Sequence, residues 1–175
     1  MNARLRPPDP PQVTRTVESR VAIRKHPVHP MLVVFPIAFL VVVAPLDLLA
    51  LWSGLAFWAQ MGAVLNGAGL AMGLVAAAVG LVDLLLIPAV RRHVSAWSHA
   101  LAAVMLLAVA AGNLWLRWPD PVAAIWPWGL LLSSVMTVLV GVAGWLGGGL
   151  SFHHGIGVAA DADADDEGPD APPRA

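Results

Sequence analysis

Long apolar runs separated by short polar connections are the dominant pattern along this chain. Four runs are long enough to cross a bilayer, over residues 31–51, about 58–86, about 99–116 and about 128–150. A hydrocarbon core of about 30 Å requires about 20 apolar residues of helix. The runs lack the two-residue alternation of barrel strands, and backbone groups in lipid must bond internally. The pattern therefore predicts an all-α, four-transmembrane-helix bundle with disordered termini.

Composition supports a membrane protein and divides the chain into three parts. Hydrophobic residues make up 58% and charged residues 12%, whereas soluble domains have about 45–50% and about 25%. The predicted parts are a basic, proline-rich arm (1–25), the transmembrane domain (26–158) and an acidic tail (159–175) that is too polar to fold. The chain has no cysteine, which excludes thiolate metal sites and covalently attached c-type haem.

Positive charge near the spans indicates how the bundle is oriented. Basic residues precede the first run within 20–25, and Arg91 and Arg92 lie in the second connection. The first connection has no Lys or Arg, and the third carries only Arg117. Because Lys and Arg close to spans favour the cytoplasmic side, we expect a multi-pass protein with its N- and C-termini in the cytoplasm.

In this topology the histidines gather at the cytoplasmic end of the bundle. His26 and His29 are each followed by proline, which favours an extended or polyproline conformation that would project both rings from one side. His99 begins the third run and His154 follows the fourth. Asp83 lies near the end of the second run, where a lipid-facing charge would cost about 2.5–3.5 kcal/mol. We therefore expect Asp83 to face the bundle interior beside a histidine or basic residue of another helix.

Three interpretations of this cluster remain open. Imidazole and carboxylate are ligands for divalent metals, and two imidazoles can hold haem b. The same residues could instead form a structural polar lock, or handle protons or other ions. The spacing contains no metal-ligand signature such as HExxH, and His93 is expected to lie outside the cluster. No nucleophile is paired with a base, so the sequence does not indicate an enzyme.

Other polar and small residues in the runs are expected to serve packing. Asp47, Asn66 and Asn113 are predicted to form interhelical hydrogen bonds. Gly69 and Gly73 form a GxxxG pair, a motif that brings helices close together. Packing within the monomer is favoured over homodimerisation. The lipid bilayer is the expected partner, and no nucleic-acid partner is expected.

Two motifs resemble landmarks of a bacterial family of four-helix predicted membrane proteins with no assigned function. The opening motif is His26-Pro-Val-His-Pro-Met-Leu-Val-Val-Phe-Pro-Ile-Ala, and the closing motif, over 144–158, is Gly-Trp-Leu-Gly-Gly-Gly-Leu-Ser-Phe-His-His-Gly-Ile-Gly-Val. Asp47 and the Gly80-Leu-Val-Asp83 segment also resemble the family. The resemblance covers about 25–158 and implies the bacterial inner membrane.

The resemblance also implies a redox setting, because relatives are sometimes joined to cytochrome c or Rieske modules. This chain departs from the closing motif, since Gly149 replaces a glutamate and Phe152-His153 replaces Tyr-Arg. His154 matches the family histidine, whereas the missing carboxylate weakens a carboxylate-supported metal site. We therefore expect an accessory component of a membrane redox system, with haem b or a metal at a site formed by His26, His29, His99, His154 and Asp83. The alternative is a non-catalytic structural or interaction module whose polar cluster only locks the bundle.

Overall fold

A computed structural model describes residues 19–24 and 26–154, with side chains to residue 151. Two short antiparallel strands, β1 (Ala22–Ile23) and β2 (His26–Pro27), precede the helices. The helices of the described part are α1 (Val28–Val41), α2 (Val43–Ser53), α3 (Ala56–Leu86), α4 (Pro88–Arg91), α5 (Val94–Arg117) and α6 (Leu130–His154). An irregular helical segment, Ile125–Gly129, leads into α6. The arm before residue 19 and the acidic tail lie outside the described residues.

The four predicted spans are confirmed as helices in the described part of the chain. They extend over Val28–Ser53, Ala56–Leu86, Val94–Arg117 and Ile125–Ser151. The first comprises α1 and α2, which meet at Val42. The third begins earlier than expected because the polar residues before His99 are helical as well, although they interrupt the apolar run. Length and composition thus locate the spans but not their ends.

The helices run up and down to form one bundle with two distinct ends. α1 packs mainly on α3, α5 packs mainly on α6, and α3 contacts α5. At mid-height the core contains Leu40, Val43, Leu106, Ala110, Met136 and Val140. We call the end at which α1 and α5 begin the histidine end. The opposite end, at which α2 and α5 finish, is the arginine end.

The GxxxG pair of α3 faces the interior of the bundle. A Cβ at Gly69 would lie 2.6 Å from Leu40 Cδ2, and one at Gly73 would lie 2.5 Å from Leu107 Cδ2. Both glycines therefore let side chains of neighbouring helices approach the α3 backbone. The pair serves packing within the monomer.

The bundle consists of two similar helical hairpins, one formed by α1–α2 with α3 and the other by α5 with α6. Buried positions of α1–α2 recur in α5 at an offset of 70 residues, in the pairs Pro36/Leu106, Leu40/Ala110, Val43/Asn113 and Asp47/Arg117. At another constant offset, buried positions of α3 recur on the α6 side, in the pairs Gly62/Gly129, Asn66/Ser133, Gly69/Met136, Gly73/Val140 and Ala76/Ala143. Because equivalent residues such as Asp47 and Arg117 contact each other, we infer an approximate two-fold axis along the bundle that relates the hairpins.

Candidate functional site

Two histidines meet at the histidine end of the bundle. His29 lies in the first turn of α1, with Nδ1 2.9 Å from the Ala76 carbonyl oxygen of α3. His99 lies in α5, with Nδ1 3.0 Å from the Ala143 carbonyl oxygen of α6. A carbonyl can only accept, so each Nδ1 carries the proton and donates it. In the neutral form of such a ring Nε2 has a lone pair, and neither Nε2 has a hydrogen-bond partner among the described residues.

Glycines in equivalent positions of α3 and α6 make room for the two rings. A Cβ at Gly80 would lie 2.7 Å from His29 Cε1, and one at Gly147 would lie 3.1 Å from His99 Cε1. The ring centroids are 6.3 Å apart and the ring planes are at 86°, an edge-to-face arrangement. His29 and His99 occupy equivalent positions of the two hairpins. When two equivalent residues contact each other, the axis that relates them passes between them. The histidine pair therefore sits on the approximate two-fold axis.

A cavity of about 440 Å³ adjoins the histidine pair. Its wall is largely apolar and comes mainly from α3 and α5, through residues such as Leu74, Ala77, Ala100 and Val104. The polar residues that line it are Ser19, His29, Asp83, His99 and Ser151. This combination of an apolar wall and a few polar groups is typical of small-molecule sites.

Asp83 has partners other than the expected histidine or basic side chain. Its Oδ2 accepts a hydrogen bond from Ser19 Oγ at 2.5 Å, and its Oδ1 accepts from the backbone N–H of Arg20 at 2.9 Å and of Val21 at 3.4 Å. The carboxylate is therefore held by the segment before α1. A histidine or basic side chain of another helix does not bond Asp83 among the described residues, and backbone amides and a hydroxyl do so instead.

The two histidines of the opening motif do not project together. His26 is exposed, and its Nδ1 lies 2.9 Å from the Arg24 carbonyl oxygen. His29 is helical because α1 already begins at Val28. Proline at position 30 is compatible with this, since backbone N–H groups in the first helical turn need no intrahelical acceptor. The extended conformation predicted for His26 is confirmed by β2, whereas the same prediction for His29, and the joint projection of the two rings, are wrong.

The remaining predicted residues contribute nothing further to the described site. His93 precedes α5 and lies outside the pair, as expected. The side chain of His154 lies outside the described side chains. Within the described residues, no group of three or more His, Asp or Glu side chains could hold a metal ion. The site that the structure supports is the His29–His99 pair with its cavity.

A buried ion pair at the arginine end was missed by the sequence analysis. Arg117 donates from Nη1 to Asp47 Oδ1 at 2.8 Å and from Nη2 to Asp47 Oδ2 at 2.6 Å, with both side chains fully buried. Arg117 Nε also donates to Asn113 Oδ1 at 2.9 Å. Ser133 Oγ donates to Asp47 Oδ2 at 2.6 Å. The bidentate pair thus links α2, α5 and α6.

Two glycines also border the polar groups, Gly62 at ordinary contact distance and Gly129 more closely. A Cβ at Gly62 would lie 3.5 Å from Arg117 Nη1, and one at Gly129 would lie 3.2 Å from Arg117 Nη2. The sequence does contain a signal for this site, because Asn113 and Arg117 are one helical turn apart. The apolar run, however, ends at residue 116, so it places Arg117 in the connection after the third span. The predicted interhelical role of Asp47 is confirmed, whereas Asn113 accepts its hydrogen bond from Arg117 within α5. Asn66 also bonds between helices, donating to the Ala110 carbonyl oxygen at 3.3 Å.

These features define a small polytopic helical membrane protein. The family described as "Predicted membrane protein (DUF2231)" matches residues 25–160, and the chain belongs to it. The match confirms the resemblance of the chain to a family of predicted membrane proteins. No curated protein and no solved structure matches the chain.

Proposed function

We propose that this membrane protein is an accessory component of a redox system and holds haem b through His29 and His99. One observation carries the proposal. Two equivalent imidazoles, each with Nδ1–H fixed on a backbone carbonyl, leave both Nε2 lone pairs available beside an apolar cavity. The neutral Nδ1-protonated tautomer is the form in which histidine ligates through Nε2.

The surroundings of the pair fit a macrocycle better than a lone metal ion. The cavity of about 440 Å³ falls within the usual range of about 300–1,000 Å³ for ligand sites. A divalent metal commonly needs three or four protein ligands, and the described residues offer no such group. Bound haem b would supply one-electron transfer. The protein's part would be to hold the haem, to orient both rings through Ala76 and Ala143, and to exclude water.

A structural lock is the second candidate function. Each ring already ties two helices together, His29 joining α1 to α3 and His99 joining α5 to α6. Hydrogen bonds of this kind contribute about 0.6 kcal/mol on average inside membranes. On this alternative the cavity has no resident cofactor and the protein is an interaction module.

The proposed location is the bacterial inner membrane, with the histidine end towards the cytoplasm. Arg20, Arg24, Arg91 and Arg92 are all exposed at this end. A membrane redox partner would then bind either on the cytoplasmic side or within the bilayer beside α3 and α5, and would exchange electrons with the haem from there.

The test is an absorption spectrum of the full chain, purified in mild detergent from cells supplied with haem precursors. A Soret band that is lost in both His29→Gln and His99→Gln supports haem ligation, because Gln retains hydrogen bonding but ligates poorly. His26→Gln is the matched control and should keep the band, since His26 is exposed and, among the described residues, its side chain bonds the Arg24 carbonyl. A colourless, folded wild-type protein would overturn the haem proposal and leave the structural lock.

A further inference from the structure

The segment before α1 folds back onto the histidine end. We call residues 19–24 and 26–27 the strap. Strands β1 and β2 pair within it, and Val28 N–H donates to the Val21 carbonyl at 2.9 Å. Arg24 takes a left-handed conformation, with φ of 49°, at the turn between the strands. The strap is therefore a folded hairpin.

Asp83 is the point at which α3 holds the strap. The three hydrogen bonds from Ser19 Oγ, Arg20 N–H and Val21 N–H all end on its carboxylate. Ser19 Oγ also accepts a hydrogen bond from Val21 N–H at 3.2 Å, which keeps the start of the strap compact. Bonds to an ionised acceptor are about twice as strong as neutral ones. One side chain thus fixes the strap to the bundle.

The strap also forms part of the cavity wall. Ser19 and Pro27 line the same cavity as His29 and His99. The opposite part of the wall includes Leu74 and Val104, which are exposed on the lipid-facing surface of α3 and α5. The strap therefore lies on the side of the cavity that faces the aqueous phase at the histidine end.

We propose that the strap is a lid over the cavity and that Asp83 is its latch. With the carboxylate bonded to Ser19, Arg20 and Val21, the lid separates the histidine pair from water-soluble molecules. Release of these bonds opens a route from the aqueous phase to the cavity. This role of Asp83 replaces the ligand role expected from its position, and it does not depend on whether the cavity holds haem.

Because the chain has no cysteine, single introduced thiols can report access to the cavity. Ala96 lines the cavity and is only 4% exposed, whereas Val94 on the same helix is 79% exposed. In Ala96→Cys protein, we expect a charged, water-soluble thiol reagent to react about tenfold faster when Asp83→Asn or Ser19→Ala is added, since a charge-assisted bond is lost. Val94→Cys is the matched control, and its rate should not change.

Trypsin cleavage after Arg20 and Arg24 gives a second, independent readout of the same latch. Release of the strap should speed both cleavages in Asp83→Asn and Ser19→Ala. Faster cleavage with unchanged thiol labelling of the Ala96→Cys protein would show that the strap detaches without covering the cavity, which would overturn the lid. If neither rate changes, Asp83 is not the latch.

Ser19→Ala keeps the Asp83 carboxylate, so it tests the idea even if Asp83→Asn fails to fold. Neither readout involves haem, so the lid and the haem proposal fail separately.

Discussion

Small residues decide where the two imidazoles can lie. Each ring rests against a glycine, and in each case the alanine one turn earlier offers the accepting carbonyl, as Ala76 and Gly80 do for His29. Gly147 has the same relation to His99. On each helix, the alanine carbonyl therefore fixes the tautomer of the histidine from the neighbouring helix. The glycine, which has no Cβ, fixes where the ring can lie.

Gly80→Ala should displace His29 and weaken the bundle. Alanine normally favours a helix over glycine by about 1 kcal/mol. Here its Cβ would lie 2.7 Å from His29 Cε1, so the ring must move and its bond to Ala76 is lost. We expect a net destabilisation of about 1–2 kcal/mol, measured as thermal unfolding in detergent. Gly144→Ala is the control, because nothing lies within 4 Å of the added Cβ. Equal stability of the two variants would contradict this account of Gly80.

At the scale of the helical elements, the repeat of the hairpin explains where the polar pairs lie. His29 and Asp47 of the first hairpin correspond to His99 and Arg117 of the second, and each residue contacts its own counterpart. Both pairs are thus on the two-fold axis, at opposite ends of the bundle. An exact repeat would place two like charges together at the arginine end. Because position 47 holds an aspartate and the equivalent position 117 an arginine, the two side chains form an ion pair instead.

This equivalence predicts the outcome of a charge exchange. Asp47→Arg or Arg117→Asp alone would bury two like charges and should cost at least the about 3–5 kcal/mol of a broken buried pair. The double variant restores opposite charges at equivalent positions and should recover part of that loss. Recovery is incomplete because Ser133 and Asn113 are placed for the native order. The measurement is a double-mutant cycle of unfolding in detergent. A double variant no more stable than the singles would contradict the equivalence.

The spans and the histidine end could be predicted because transfer into lipid depends on local composition. The positions of His29, His99 and Asp83 then follow from the span ends. Their partners could not be predicted, since hydrogen bonds to Ala76 or Ser19 join segments far apart in sequence and depend on packing. Arg117 was missed for a related reason. Its apolar run ends just before it, and nothing local shows that a buried carboxylate on another helix neutralises its charge.

At the scale of the whole molecule, the exposed arginines lie at one end of the bundle. The first and third connections, at the arginine end, carry no free Lys or Arg among the described residues, because Arg117 is fully buried against Asp47. Exposed arginines lie at the other end, at 20, 24, 91 and 92. Lys and Arg close to the ends of the spans favour the cytoplasmic side. The folded bundle therefore presents its exposed arginines at the end that the sequence assigns to the cytoplasm.

This asymmetry predicts which side of the membrane each end faces. A reporter that is active only in the cytoplasm should be active when fused after Arg174 or inserted at Arg92, and inactive when inserted at Asp120. Four helical spans place the first two sites on one side, and the exposed arginines assign that side to the cytoplasm. A reporter active only outside the cytoplasm, at the same three sites, is the control and should give the reverse pattern. Activity of the cytoplasmic reporter at Asp120 but not at Arg92 would mean that the histidine end, with its cavity and strap, faces the opposite compartment.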